Sequence, residues 1–206
     1  MKCHIFLKYN DNYSDIHDII ILLKVFCMKE IIYNYSNLKD EDMNNEVRRA
    51  KALIINSNDE ILFGYADKTY QFIGGHVEKN ETDEECLKRE IMEESGMNLE
   101  VKNINPFLVI KYYSKDYPEV GQNTITKNSY YIIKSDLKPN TKKRHLTDYE
   151  TEWGFDYRFV SKEKAIEELT KGLITAKKKN PVLDTIEAVS EYIKITSEED
   201  TREEWQ

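Results

Sequence analysis

The stretch Gly74–Leu99, reading GGHVEKNETDEECLKREIMEESGMNL, constrains this chain more than any other. A glycine pair leads into a segment with both ends of a helix written into it. Thr82 followed three residues later by Glu85 is a capping box, which sets the first helical turn after Thr82. Gly96 stands where a left-handed residue ends a helix. With about 100° between successive residues and counting from Cys86, Glu93 falls near ~340°, Glu90 near ~40° and Glu94 near ~80°. Leu87 and Ile91 fall near ~100° and ~140° on the same wheel, so three acids share a face that borders the apolar stripe.

An acidic helix that only faces water keeps its acids opposite the core and matches them with Lys at i+4. Here they crowd together at the buried edge, where like charges raise one another's pKa. A cation relieves that cost, and carboxylate oxygens are what Mg²⁺ or Mn²⁺ accepts. Arg89 lies within one turn of both Glu85 and Glu93 and is placed to hold a ligand in its rotamer.

The full spacing is Gly75, five residues, Glu81, seven residues, then Arg89-Glu90-Ile91-Met92-Glu93-Glu94-Ser95-Gly96-Met97. It resembles the Nudix box, with every position filled. The resemblance implies hydrolysis of a nucleoside diphosphate linked to another moiety, by water attack on phosphorus with a divalent metal, Mg²⁺ or Mn²⁺. It implies Glu93 and Glu94 as principal metal ligands, Glu90 as a ligand or as the base for the attacking water, and the Gly75 carbonyl as a further ligand. Glu81 and Arg89 are implied to orient those carboxylates.

Beyond the box, families of this type use one more acid from a late loop. Glu150, in HLTDYE ahead of a strand at Phe155, is the candidate over Glu152, against the alternative of a solvated loop acid. His76 directly follows the glycine loop and is a candidate substrate contact, against a purely structural role. Tyr113, sixteen residues past Met97, is placed like the tyrosine of the family's dinucleoside-polyphosphate hydrolases. Lys142, Lys143 and Arg144 could meet substrate phosphates or simply be solvated.

The order of elements around the box predicts an α/β fold, which the resemblance makes a Nudix-type α/β/α sandwich with a mixed sheet, covering about Val47 to Lys171. Strands are expected at Glu30–Tyr35, Arg49–Ile55, Glu60–Gly64, Tyr70–Ile73, Phe107–Tyr113, Thr124–Ile133 and Phe155–Val160, the second and third forming a hairpin. A helix is expected over Lys162–Lys171, stopped by Gly172, and another from Asn180-Pro181 to about Lys194. Residues 1–46 read as an N-terminal extension, 47–195 as the hydrolase domain with its C-terminal helices, and 196–206 as a loose acidic tail. For residues 1–27 two readings stand: an extra helix on the domain, or sequence upstream of a start at Met28.

Thirty basic against 38 acidic side chains leave a net charge of −8, which argues against general nucleic-acid binding. The nine-residue apolar run Ile19–Cys27 cannot span a bilayer. Cys3, Cys27 and Cys86 share no ligand-like spacing and suggest a reduced, cytoplasmic protein. The expected partner is a small nucleotide substrate, with no membrane and no nucleic acid. The alternative function is a nucleotide-binding sensor on the same fold, separated from a hydrolase by metal-dependent phosphate release.

Overall fold

The computed structural model describes residues 28–203. Residues 1–27, and with them both readings of that segment, lie outside the described residues. Seven strands form one mixed sheet: β1 (Lys29–Tyr33), β2 (Asn45–Ile55), β3 (Glu60–Ala66), β4 (Thr69–Gln71), β5 (Leu108–Ser114), β6 (Thr124–Lys134) and β7 (Asp156–Ser161). The order is β1-β5-β6-β2-β3-β4, with β7 on β3. The α-helices among the described residues are α1 (Asp83–Ser95) after β4, α2 (Asp148–Glu152) after β6, and α3 (Lys162–Thr175) and α4 (Asn180–Glu203) after β7.

Strand β2 organises the two layers because its side chains alternate across the sheet. Ala50, Ala52 and Ile54 face α1, where they bury Cys86, Leu87 and Ile91. Leu53 and Ile55 face the other way, into a core with Phe63, Phe72, Leu169 and Val189 under α3 and α4. Each large apolar side chain fully buried there is worth roughly 1.5–3 kcal/mol. The arrangement is an α/β sandwich with a mixed sheet between its helices.

The expected hairpin forms, but its strands part almost at once. β2 pairs with β3 only at Ile54–Leu62 and Ile55–Ile61, while all eleven of its residues pair in parallel with β6. The edge that β3 vacates is taken by the glycine loop. Ala52 N donates to Ile73 O at 2.8 Å, Ala50 N to Gly75 O at 3.1 Å, and Val77 N to Arg48 O at 3.0 Å. A five-residue seam therefore pins the box loop to the central strand.

Several details differ from the sequence expectations. Gly172 does not stop its helix: α3 runs on to Thr175, and Gly172 is a buried contact whose Cβ would stand 3.4 Å from Lys68 O. It is small to let the β3–β4 turn approach. Helix α4 continues through Thr196 to Glu203, where a loose tail was expected. The strand expected at Glu30–Tyr35 forms one residue earlier and ends sooner, as β1, which pairs in parallel with β5 along its whole length. A short helix, α2, stands where only a loop was anticipated. Among the described residues no helix is long and apolar enough to cross a membrane.

Candidate active site

Helix α1 begins and ends as its sequence requires. Glu85 N donates to Thr82 Oγ1 at 3.2 Å and Thr82 N to Glu85 Oε2 at 2.8 Å, closing the capping box. Gly96 adopts φ 68° and its N–H donates to Met92 O at 2.8 Å. The connection after β6 then folds over this end: Asn140 N donates to Ser95 O and His145 N to Glu93 O, both at 2.7 Å. That contact brings the chain leading to α2 against the turn that carries Glu93.

Arg89 gathers the acids. Its Nε and Nη2 donate to Glu81 Oε1 and Oε2 at 2.9 and 3.1 Å, a two-pronged pair, while Nη1 donates to Glu90 Oε1 at 2.8 Å and Glu93 Oε2 at 3.2 Å. Nη2 also reaches His76 O at 3.1 Å, tying helix to glycine loop. The expected Arg89–Glu85 alternative does not form, because Glu85 is spent on the cap. Hydrogen bonds from Arg89 hold the Glu81 carboxyl below its usual range. Glu90 is shifted the other way, upward, because burial outweighs the opposing pull of Arg89 and Lys51. Glu94 is buried and Glu93 half exposed.

Gly75 leaves room for Glu90. A Cβ on it would lie 2.1 Å from Glu90 Oε1, so the space beside its Cα belongs to that carboxylate. Its carbonyl accepts the Ala50 N–H and has a second lone pair to offer.

The donor set suits a hard divalent cation: three carboxylates on neighbouring turns, a backbone carbonyl, and no sulfur or imidazole among them. As they stand, Glu90 and Glu93 close on Arg89, and among the described residues no three His, Cys, Asp or Glu side chains already surround one ligand position.

The remaining candidates divide. His76 sits at the loop with Nε2 3.0 Å from Arg49 Nη2, and burial, reinforced by Arg49 and Lys51, pushes its pKa down. A neutral ring accepting from the guanidinium fits both facts. Tyr113 is engaged elsewhere: its hydroxyl donates to Asp40 Oδ1, in the 3-10 turn Asp40–Asp42. Glu150 lies on α2, with its side chain outside the described set; Glu152, on the same helix, is exposed. Arg144 is turned inward to Phe155 O at 3.4 Å, while Lys142 and Lys143 are exposed. Sequence reasoning passed over Arg49 and Lys51, the second of which donates to Gly74 O. Their signal was a pair of cations at alternate positions just ahead of the apolar end of the strand, in register with Leu53 and Ile55.

No curated protein matches the chain. Among solved structures it is similar to a MutT protein studied from Aliivibrio salmonicida and Vibrio cholerae, at 18% identity over 69% of this chain and 94% of that one, with a TM-score of 0.44. A MutT protein from Methanosarcina mazei Go1 matches at 20% identity over 73% and 97% of the two chains, TM-score 0.43. The E. coli dihydroneopterin triphosphate pyrophosphohydrolase matches at 13% identity over 70% and 93%, TM-score 0.44. The NUDIX domain family model matches residues 46–179, well over half of the chain. On that match the chain belongs to the Nudix family and is a Nudix hydrolase.

Proposed function

We propose that the protein is a metal-dependent pyrophosphohydrolase that cleaves the diphosphate linkage of a nucleoside diphosphate joined to another group, with Mg²⁺ or Mn²⁺ as the metal. The observation that carries this reading is the Arg89 network, in which one guanidinium holds Glu81, Glu90 and Glu93 together and ties them to the glycine loop at His76 O. Glu93, Glu94 and the Gly75 carbonyl are the residues for the metal, with Glu90 a ligand or the base that takes a proton from water. When bound, the ion polarises phosphorus and lowers the pKa of water.

The chain's own groups do the rest. Arg89 fixes the carboxylate rotamers, and Glu81 fixes Arg89 through both of its oxygens. Water adds to one phosphorus, the bridging P–O bond breaks, and the proton passes to Glu90 or to solvent, leaving two phosphorylated products. Glu150 is assigned to assist from α2 and His76 to the substrate from beside the loop, while Tyr113 would have to give up its bond to Asp40 to join them. The buried Cys86 thiol is pushed up to about 11 by burial, which leaves it a poor nucleophile with no part in the chemistry.

The test is a substrate panel of modified nucleoside triphosphates, dinucleoside polyphosphates, nucleotide sugars and ADP-ribose, each with Mg²⁺, with Mn²⁺ and with chelator. Metal-dependent release of a nucleoside monophosphate, or of pyrophosphate from a triphosphate, supports the reading. Tight nucleotide binding with no turnover on any member favours the sensor instead.

A further inference from the structure

A cavity of about 300 Å³ opens where the β3–β4 turn, the start of β7 and the α3–α4 link meet. Its lining is chiefly apolar, with Trp153, Phe155 and Val182, and its polar members include Gln71, Tyr70, one carboxylate, Asp67, and two lysines, Lys177 and Lys178. Apolar walls with a few converging polar groups are the usual make-up of a small-molecule site, and this volume lies at the small end of that range, about 300–1,000 Å³. One ring system with its sugar fits; two do not.

Its position ties it to the chemistry. Gln71 is three residues ahead of Gly74, at most about 11 Å of chain, and Trp153 directly follows α2, which carries Glu150. The Trp153 indole also shows what its face attracts. Lys177 Nζ stands 4.3 Å over the ring centroid and 3.7 Å from Asp67 Oδ2. The lysine is well exposed, so it is easily displaced, and a face that holds a cation accepts a planar electron-poor ring in its place. Two lysines against the single carboxylate of Asp67 leave the lining with a net positive charge in a chain whose own net charge is −8.

We propose that this cavity binds a nucleoside 5′-monophosphate unit, the base lying against Trp153 with its edge at the Gln71 amide, and Lys177 and Lys178 meeting the phosphate. The inference deepens the hydrolase reading by locating the nucleoside half of the substrate, and it rests on that reading only for which molecule brings the nucleotide.

Binding is measured without turnover. Trp153 and Trp205 are the two tryptophans of the sequence, so Trp205→Phe leaves Trp153 as the sole reporter. AMP, GMP, CMP, UMP and ribose 5-phosphate are titrated in the absence of metal. Saturable quenching by at least one nucleotide is expected, with ribose 5-phosphate far weaker. Gln71→Leu and Lys177→Ala should each weaken it, and Trp153→Leu should raise KM on a hydrolysed substrate by roughly tenfold or more, the scale of one base stacked on one aromatic ring. Circular dichroism checks that each variant is folded, and Gln71→Leu and Lys177→Ala stand in if Trp153→Leu is not. Quenching by no nucleotide, or equally by ribose 5-phosphate, overturns the proposal. Turnover with KM unchanged in Trp153→Leu sinks the site and leaves the hydrolase reading standing; quenching without metal-dependent turnover on any substrate does the reverse.

Discussion

Gly75 and Glu90 share one small volume: the carboxylate of Glu90 fills the place where a side chain on residue 75 would begin, 2.1 Å from an ideal Cβ. Gly75→Ala therefore has to displace Glu90, whereas Gly74→Ala meets Ala50 O at 2.2 Å from a backbone at φ 127° that L-residues rarely adopt. The two neighbours should fail differently. Gly75→Ala is expected to lower kcat by on the order of 10²-fold, as when an outer-shell partner of a metal site is lost, with little change in Tm. Gly74→Ala is expected to lower Tm first. Parallel melting curves and kinetics on the two variants decide it; equal losses of Tm count against a catalytic place for Glu90.

Glu93→Gln is expected to reduce turnover by at least about 10²-fold, since losing a ligand should cost no less than losing its support. Without metal its Tm should hardly move. The Arg89–Glu93 pair is 43% exposed on the Glu93 side, and such pairs are worth about 0–1 kcal/mol, offset by relief of the repulsion from Glu90. Near-native kcat at the same Mg²⁺ concentration would show that Glu93 is not a ligand.

Buried Asp184 on α4 accepts a hydrogen bond from Tyr112 and another from Asn128 Nδ2 at 3.0 Å, and burial raises its pKa. A carboxyl whose folded pKa is raised contributes stability that is fully present below its unfolded pKa and is lost as pH rises through the folded value. Asp184→Asn removes that loss, and its amide can supply the donor that Asn128 Oδ1 lacks. The Tm difference, variant minus parent, should therefore grow with pH from the ordinary aspartate range, about 3.9, upward. Thermal melts from pH 3.5 to 8 check the trend, and a flat or falling difference refutes it. Asp184→Ala, which strands Asn128 Nδ2 and the Tyr112 hydroxyl, should cost about 1–3 kcal/mol at neutral pH.

Glu150→Gln is expected to lower kcat and kcat/KM together by on the order of 10²-fold, with KM little changed, if this carboxylate aids the attacking water. Glu152→Gln is the matched control on the same short helix. Equal effects from the two, or a silent Glu150→Gln between pH 6 and 9, remove Glu150 from the mechanism.

What the sequence determined by itself is the part of the protein whose causes are local. The capping box at Thr82 and Glu85, the left-handed stop at Gly96 and the period that puts Glu90, Glu93 and Glu94 on one face are all set within a few residues of chain, and α1 carries them out. The strand at Arg49–Ile55 and the helix start at Asn180-Pro181 were legible for the same reason. Tertiary structure decided what depends on partners far away in sequence. Arg89 had two acids one turn away, but Glu85 was claimed by the cap, so the guanidinium took Glu81, eight residues back across the loop. Gly172 looked like a helix stop because glycine ends helices when nothing else is known, yet here its missing side chain admits Lys68 and Thr69. The seam that pins Gly75 to Ala50 exists because β2 leaves β3 after two pairs, and the cations Arg49 and Lys51 reach the glycine loop only through that seam. A local rule names the side chains that are able to act; which of them meet is settled by competition among hydrogen-bond and packing partners, and that competition takes place only once the sheet has formed.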